Sequence, residues 1–450
     1  MDFKNKKVLV CGLGRSGIAS AVLLKKLGAS VTASDIRDKK ELDLTSLKDI
    51  NIYAGRNPDD IINNYDLIII SPGISTNLSF VKLARKLKIP VWSEIELAYR
   101  VCKTPIIAIT GTNGKTTTTT LTGEIIKNYY INSLTAGNIG LPLTEKICDI
   151  KKDSYVVAEI SSFQLETIDL FQPHIAVILN ITPDHLDRHK TFENYCDIKS
   201  KIFCNQNKND FIILNYDDEI CRKLESQTNS HTIFFSTKQK LINGVFIDKD
   251  KIKIRLEKFI DINNQELMSI KDINLIGEHN LSNILAAIAA SVCANVPLNI
   301  IINTIKNFHA VPHRLEFVRN LNGVDFYNDS KATNVDSAIK ALKSIKKPII
   351  LIGGGYDKKV DFYDWIRSFK NVKRLILIGE VKEKIASQCC ELGFTNFDIC
   401  ENLADAVEKS FESAQKGDCV LLSPACASWD MFKNFEQRGD LFKTIVNSLE

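Results

Sequence analysis

The sequence predicts an α/β protein of three domains: a Rossmann-like N-terminal domain, a central P-loop ATPase-like domain with a mostly parallel sheet, and a Rossmann-like C-terminal domain. Three observations carry that expectation. The chain has 450 residues, and domains cluster at roughly 100 to 200 residues, so one core is too few. Short apolar runs bounded by turn residues alternate with segments of helical period almost from end to end, the pattern of strands joined by crossover helices. The blocks of alternation meet near residues 93 and 306, which divides the chain into 1–93, 94–306 and 307–450.

In the first block, KVLVCG, SVTASD, INIYAG, LIIISPG and the segment Pro90–Ser93 read as strands. The second block opens with Pro105–Thr110, continues through YVVAEISS, IAVILNIT and FIILNYDD, adds polar hairpins around 231–272, and closes with a helix after Gly277-Glu278-His279-Asn280. In the third, VDFYNDS, PIILIGGG, RLILIGE and CVLLSPA read as strands separated by amphipathic stretches.

Composition narrows the class. Hydrophobic residues make up 44% and charged residues 25% of the chain, which is the balance of a folded globular protein and not of a disordered one. No apolar stretch approaches the ~20 residues that span a bilayer, and Met1–Lys7 leads directly into a strand, so a cytoplasmic protein without a membrane partner is expected. The formal net charge of +4 is not gathered into a basic tract, so nucleic acid is not indicated. Twelve cysteines are scattered without any CxxC spacing, only Cys389 and Cys390 being close; reduced, mostly buried thiols are expected.

The strongest local signal is Gly111-Thr112-Asn113-Gly114-Lys115-Thr116-Thr117, directly after an apolar strand and before a helical segment. Glycines let backbone N–H groups point into such a loop, the helix N-terminus adds positive potential, Lys115 reaches the β- and γ-phosphates, and the Thr116 hydroxyl suits Mg²⁺. Ile109 stands where the full Walker pattern has glycine, which argues against an ordinary GTPase or transporter ATPase. Gly12-Leu13-Gly14-Arg15-Ser16-Gly17, with Asp35 ending the next strand, is a dinucleotide-type fingerprint. Read alone it indicates a dehydrogenase; it serves equally for the diphosphate of a UDP-sugar, with Asp35 accepting from uracil or ribose.

Because Mg²⁺ takes hard oxygen ligands, an acidic residue at a strand end near the phosphate loop is expected, and Glu159 is the first candidate. The segment Asn180-Ile181-Thr182-Pro183-Asp184-His185-Leu186-Asp187-Arg188-His189 concentrates carboxylates, imidazoles and a guanidinium after an apolar strand, which marks His185 as functional. Other readings remain: a nicotinamide-dependent dehydrogenase, which would depend on Gly14 and not on Lys115, and a non-catalytic P-loop switch, which would need neither Glu159 nor the 180–189 cluster.

GTNGKTT, AEISSFQL, NITPDHLDRH, GEHNLSN, VPHR and NDSKATN occur in that order and spacing, and together they resemble the Mur ligase family along essentially the whole chain. Within it, SPACASWDMFKNFEQRG at 423–439 and NDSKATN at 328–334 look like the members that add D-glutamate; a Mur-type ligase for another amino acid is the nearer alternative. The resemblance implies ATP, two Mg²⁺ ions, UDP-N-acetylmuramoyl-L-alanine and D-glutamate as cofactor and substrates; the sequence does not fix the oligomeric state, and a monomer is the expectation. It places Thr116 and Glu159 on the first Mg²⁺ and His185 on the second. Lys199 aligns with a lysine that the family carbamylates into a further Mg²⁺ ligand, although it lies one residue closer to His185 than the family spacing and Lys201 is nearby. Asn280 matches the adenine contact, and Arg314 and Asp329 match residues that hold ATP phosphates and ribose. Lys331, Thr333, Lys358, Ser428 and Phe435 match the D-glutamate positions. Gly14, Arg15, Asp35, Ser71, Gly73 and Asn138 match the UDP-substrate positions, where Arg15 and Ile36-Arg37 differ from the family's residues. The implied reaction phosphorylates the L-alanine carboxylate, and the D-glutamate amine then displaces phosphate from the acyl phosphate, with Lys115, His185 and Lys199 as the catalytic set.

Overall fold

Parallel strands with helices between them dominate the computed structural model, which describes residues 2–256, 262, 264–275, 277–308 and 312–450. Val311, of the VPHR motif, and part of the hairpin region around 231–272 lie outside the described residues. The first sheet comprises β1 (Lys7–Cys11), β2 (Ser30–Asp35), β3 (Asn51–Ala54), β4 (Leu67–Ile70) and β5 (Val91–Ser93), in the order β3-β2-β1-β4-β5 with every pair parallel. Both faces are covered, and the period of two shows in the packing. Val8 and Val10 enter one apolar core while Leu9 and Cys11 enter another, as strict alternation of side chains across a strand requires.

The second sheet runs β14-β13-β12-β11-β10-β9-β6-β8-β7. Its strands are β6 (Ile106–Thr110), β7 (Leu134–Gly137), β8 (Val156–Glu159), β9 (Ile175–Ile178), β10 (Phe211–Asn215), β11 (His231–Ser236), β12 (Gly244–Asp248), β13 (Lys251–Arg255) and β14 (Gln265–Ser269). It is parallel up to β12 and antiparallel only in the β12-β13-β14 hairpins. The third sheet runs β15-β16-β20-β17-β18-β19 and is parallel except at β15. It comprises β15 (Glu316–Leu321), β16 (Val324–Asn328), β17 (Ile349–Gly354), β18 (Val372–Ile378), β19 (Phe397–Ile399) and β20 (Cys419–Leu422).

Helices begin where the sequence supplies an oxygen to cap them. Ser161 accepts from the Gln164 N–H and the Gln164 side chain accepts from the Ser161 N–H, a reciprocal capping box. Thr191, Asn334, Asn402 and Asn434 cap the helices Phe192–Ser200, Val335–Ser344, Leu403–Ser413 and Phe435–Ser448 by accepting from the backbone N–H three residues on, each cap stabilising its helix by about 1 kcal/mol.

By packing, the described chain forms two compact units: 1–273 with 282–307, and 274–281 with 308–450. The first two sheets fall in one unit because one apolar core runs from Phe3, Val8 and Trp92 to Ile106, Ala176 and Leu224. The third sheet has separate cores on its two faces, around Trp365 and around Phe442. Among the described residues no helix is long and apolar enough to cross a membrane, and all twelve cysteines are free.

Candidate functional site

Strand order reverses in the first sheet between β1 and β4, and a crevice at the carboxyl ends of two such strands is where ligands bind in parallel α/β sheets. The loop after β1 turns at Gly12, φ +86°, and a Cβ on Gly17 would lie 1.8 Å from the Gly12 carbonyl oxygen, so only glycine lets the helix Arg15–Lys26 start this close to the strand. Gly14 and Gly73 face open space, and exposed Arg15 opens the helix. Two of the expected residues, Asp35 and Ser71, also make hydrogen bonds within the chain. The Asp35 oxygens are already engaged, accepting from the Leu13 N–H at 2.7 Å and from the backbone and guanidinium of Arg37. The hydrogen bond from Arg37 holds that carboxyl down to about 2, so the half-exposed Arg37 guanidinium, and not a bare carboxylate, faces outward. The Ser71 hydroxyl likewise donates to the Gly12 carbonyl at 2.6 Å, which ties the two loops together.

In the second sheet, β6, β8 and β9 are adjacent, and their carboxyl ends bring Gly111–Lys115, Glu159–Ser162 and Leu179–His185 together. Gly114 takes φ +86° as the cap of the helix Lys115–Tyr129, and a Cβ there would lie 2.3 Å from Asn283 Oδ1. The Lys115 ammonium donates to the Gly111 and Thr112 carbonyls at 2.8 and 2.9 Å. Thr116 and Thr117 are buried at the helix start.

Lys199 is 1% exposed, and its Nζ donates to the same Gly111 carbonyl at 2.9 Å, with the Tyr195 ring 4.8 Å away. Burial and the neighbouring Lys115 push its pKa well down, so its neutral amine is favoured. Lys201, the other lysine of that segment, instead reaches the Glu166 carbonyl. Glu159 is 2% exposed; its Oε1 accepts from Asn138 Nδ2 at 2.8 Å, and its Oε2 is buried with no hydrogen-bond partner. A buried carboxylate oxygen with spare lone pairs at the mouth of a phosphate loop fits a hard divalent cation. Among the described residues no group of three or more His, Cys, Asp and Glu is close enough together to hold a metal ion.

His185 stands at the rim in a left-handed conformation, φ 53°, its ring edge-on to Phe163 at 4.8 Å. The buried imidazole of the segment is His189, whose Nε2 meets Ser162 Oγ at 3.0 Å. Several shaping residues escape sequence reasoning. Asn180 clamps the crest of the phosphate loop, accepting from the Asn113 N–H at 2.9 Å and donating to the Asn113 carbonyl at 3.0 Å. Thr112 is held by the Thr182 backbone and the Tyr195 hydroxyl. Arg188 pairs with Glu166 and donates to the Pro72 and Ile74 carbonyls, fixing the loop after β4 to the 185–189 segment. No local motif carries these pairings; only their density of polar residues after an apolar strand was a signal.

In the second unit, Asn280 lies buried in the first turn of the helix Glu278–Cys293. Beside it His279 is held down to about 4, chiefly by burial and then by Arg314. Asp329 follows β16, accepts from Ser423 Oγ at 2.8 Å and from the Leu315 N–H at 3.3 Å, and burial raises it to about 7. Lys331 Nζ lies 5.0 Å from the Phe435 ring centroid, and Lys358 donates to the Thr333 carbonyl at 3.3 Å while facing the Trp429 ring. Buried Ser428 begins the turn to Met431 and Phe432. The loop after β16 carries Lys331 and Thr333, the loop after β17 carries Lys358, the loop after β20 carries Ser428, and Phe435 opens the helix Phe435–Ser448.

Fold and sites define a nucleotide-binding α/β protein with a P-loop in its central sheet. Models of three domains match the chain: the MurD-like N-terminal domain of Mur ligases over residues 6–93, the Mur ligase middle domain over 109–291, and the Mur ligase glutamate ligase domain over 313–426. A protein of Thermoanaerobacter sp. (strain X514) named UDP-N-acetylmuramoylalanine--D-glutamate ligase is 47% identical over 456 residues, covering 100% of both chains. Its namesake in Caldicellulosiruptor bescii is 49% identical over 457 residues, covering 100% of this chain and 99% of that one. Among solved structures, the UDP-N-acetylmuramate-alanine ligase MurC of Thermotoga maritima superposes with a TM-score of 0.63 at 20% identity, covering 99% of this chain and 100% of that one. The MurF ligase of the same organism in complex with ADP gives 0.60 at 17% identity, covering 99% and 96%. The chain belongs to the Mur ligase family.

Proposed function

We propose that this chain is an ATP-dependent amide-forming ligase that joins D-glutamate to UDP-N-acetylmuramoyl-L-alanine in the cytoplasm, as a step of peptidoglycan precursor synthesis. The observation that carries the reading is the full-length identity of 42–49% to curated ligases of that name. The convergence of Lys115, Lys199 and Glu159 on the phosphate loop gives that reading its chemistry.

Residues 1–93 bind the UDP substrate through Gly14, Arg15, Asp35, Ser71 and Gly73, with Asn138 contributing from the second sheet. Residues 94–306 bind ATP through Gly111–Thr117, and residues 307–450 bind the amino acid through Lys331, Thr333, Lys358, Ser428 and Phe435. Asn280, Arg314 and Asp329 complete the nucleotide contacts. Thr116, Glu159 and His185 are the side chains that would hold Mg²⁺, and the ion would supply charge neutralisation on the phosphates. Lys115 stabilises the charge that builds on the γ-phosphoryl group. Lys199 is the residue for carbamylation: a neutral Nζ adds to CO₂, the N–C bond forms as a C–O π bond opens to a carboxylate, the N–H proton passes to water, and the carbamate oxygens would then be available to Mg²⁺.

Phosphate release should require ATP, UDP-N-acetylmuramoyl-L-alanine and D-glutamate together and should vanish in Lys115→Ala. Release with L-alanine, L-lysine or meso-diaminopimelate in place of D-glutamate would move the enzyme to another branch of the family. For Lys199, activity of Lys199→Ala should be lost and partly restored by short carboxylic acids; full activity without them would remove the carbamate from the mechanism.

A further inference from the structure

The amino-acid loops of the third sheet converge on a guanidinium that the reaction above does not use. Arg438, in the first turn of the helix Phe435–Ser448, is 1% exposed. Its Nε donates to Ser330 Oγ at 3.0 Å, its Nη2 to the Ser330 and Cys426 carbonyls at 2.8 and 3.0 Å, and its Nη1 to the Ala427 carbonyl at 3.4 Å. Ser330 Oγ donates onward to the Phe435 carbonyl at 2.8 Å. Every acceptor of Arg438 is a neutral oxygen, and Asp430 and Asp329 act on it only through space. Burial lowers its pKa to about 10, so the charge persists at neutral pH.

A buried cation with no bonded carboxylate is a poor way to stabilise a fold, since apolar residues of similar volume do as well or better. What it supplies here is geometry and charge. The planar fork bonds the residue before Lys331, the two residues before Ser428 and, through Ser330, the carbonyl of Phe435. A lysine ammonium on a flexible stem cannot span those acceptors. Gly355 leaves the room this needs: a Cβ there would lie 2.4 Å from the Ala427 carbonyl oxygen and 3.3 Å from Arg438 Nη1.

We propose that Arg438 is the positioning residue of the amino-acid site: its fork holds the 329–331 and 426–428 loops and the Phe435 helix start in the arrangement that binds a dicarboxylate, and its unneutralised charge attracts that anion. The proposal rests on the D-glutamate reading of these loops.

Steady-state kinetics on Arg438→Lys and Arg438→Met, varying each of the three substrates in turn, test it. Arg438→Lys should raise KM for D-glutamate about tenfold, the scale of one lost charge-assisted hydrogen bond. Arg438→Met should raise it further and weaken its dependence on salt. KM for ATP and for the UDP substrate should stay nearly unchanged in both. A D-glutamate KM that does not move, or three KM values that rise together, would overturn the proposal. If neither variant folds, Ser330→Ala carries the test, with a smaller rise for D-glutamate alone supporting the proposal and no rise refuting it. The wild type is assayed alongside: turnover with a different amino acid only would dismiss the D-glutamate reading, and the same comparison for that amino acid would still decide the role of Arg438.

Discussion

At the scale of single residues, the site keeps groups that folding alone would discard. Glu159 Oε2 is buried without a hydrogen-bond partner, and an unpaired buried carboxylate oxygen opposes folding. Glu159→Gln should therefore abolish phosphate release while leaving the metal-free protein as stable as the wild type or about 1 kcal/mol more stable, read by urea denaturation; a large loss of stability would make Glu159 a structural residue. Asp329 gives the pH-dependent counterpart. Burial raises its folded pKa to about 7 from a model value of 3.8, so the folded state holds its proton where the unfolded state does not. The stability this contributes is fully present below the unfolded pKa and is lost as pH rises through the folded one. Asp329→Asn should remove that slope, gaining on the wild type between pH 4 and 7 by at most about 4 kcal/mol at 1.36 kcal/mol per unit. Parallel pH dependences of the two proteins would show that Asp329 is ionised throughout.

At the scale of elements, the helix Glu94–Val101 joins the first two sheets through buried carboxylates: Glu94 accepts from the Thr144 N–H and hydroxyl, and Glu96 makes the larger set of bonds. Glu96 is fully buried and accepts from the backbone N–H groups of Asp169, Leu170 and Phe171 and from Arg100. Glu96→Ala removes the acceptor of three backbone N–H groups and leaves Arg100 with Asp169 alone, and should cost about 3–5 kcal/mol by chemical denaturation; a cost under about 1 kcal/mol would mean that water replaces the carboxylate. Most strands legible in the sequence have apolar runs buried on both faces, such as IIAIT and CVLL, although the partly buried edge strand β3 was also read, from INIYAG. Those missed, β7, β15 and β19, are each the edge strand of their sheet and only partly buried, so burial imprints little pattern on them. The site divides in the same way. The phosphate loop was legible because its function is contiguous, whereas Asn180 meets Asn113 across 67 positions and Arg438 meets Ser330 across 108, pairings that only register and topology create. Asp35 was read correctly as a strand-end acidic residue but not as one saturated by its neighbours, because Arg37 two residues on supplies both the backbone and side-chain donors.

At the scale of the whole molecule, cooperativity should follow the cores and not the sheets. The first two sheets share one apolar core, so neither can lose its packing without exposing the other. The third sheet carries its own cores on both faces, and the segment 274–281 belongs to its unit although it precedes 282–307 in the chain. That excursion is packed closely: a Cβ on Gly277 would lie 2.5 Å from Ser344 Oγ, and His279 Nδ1 is 3.4 Å from the same oxygen. Calorimetry of the intact chain should therefore resolve two transitions and not three. Glu96→Ala identifies which is which, because its lesion lies wholly in the unit of the first two sheets. It should lower one transition by roughly 5–10 °C, the shift expected of a few kcal/mol in a unit of this size, and leave the other in place. A single transition whose calorimetric and van't Hoff enthalpies agree would instead show one cooperative body, and a third transition would show that Glu96 and the shared core do not bind the first two sheets into one.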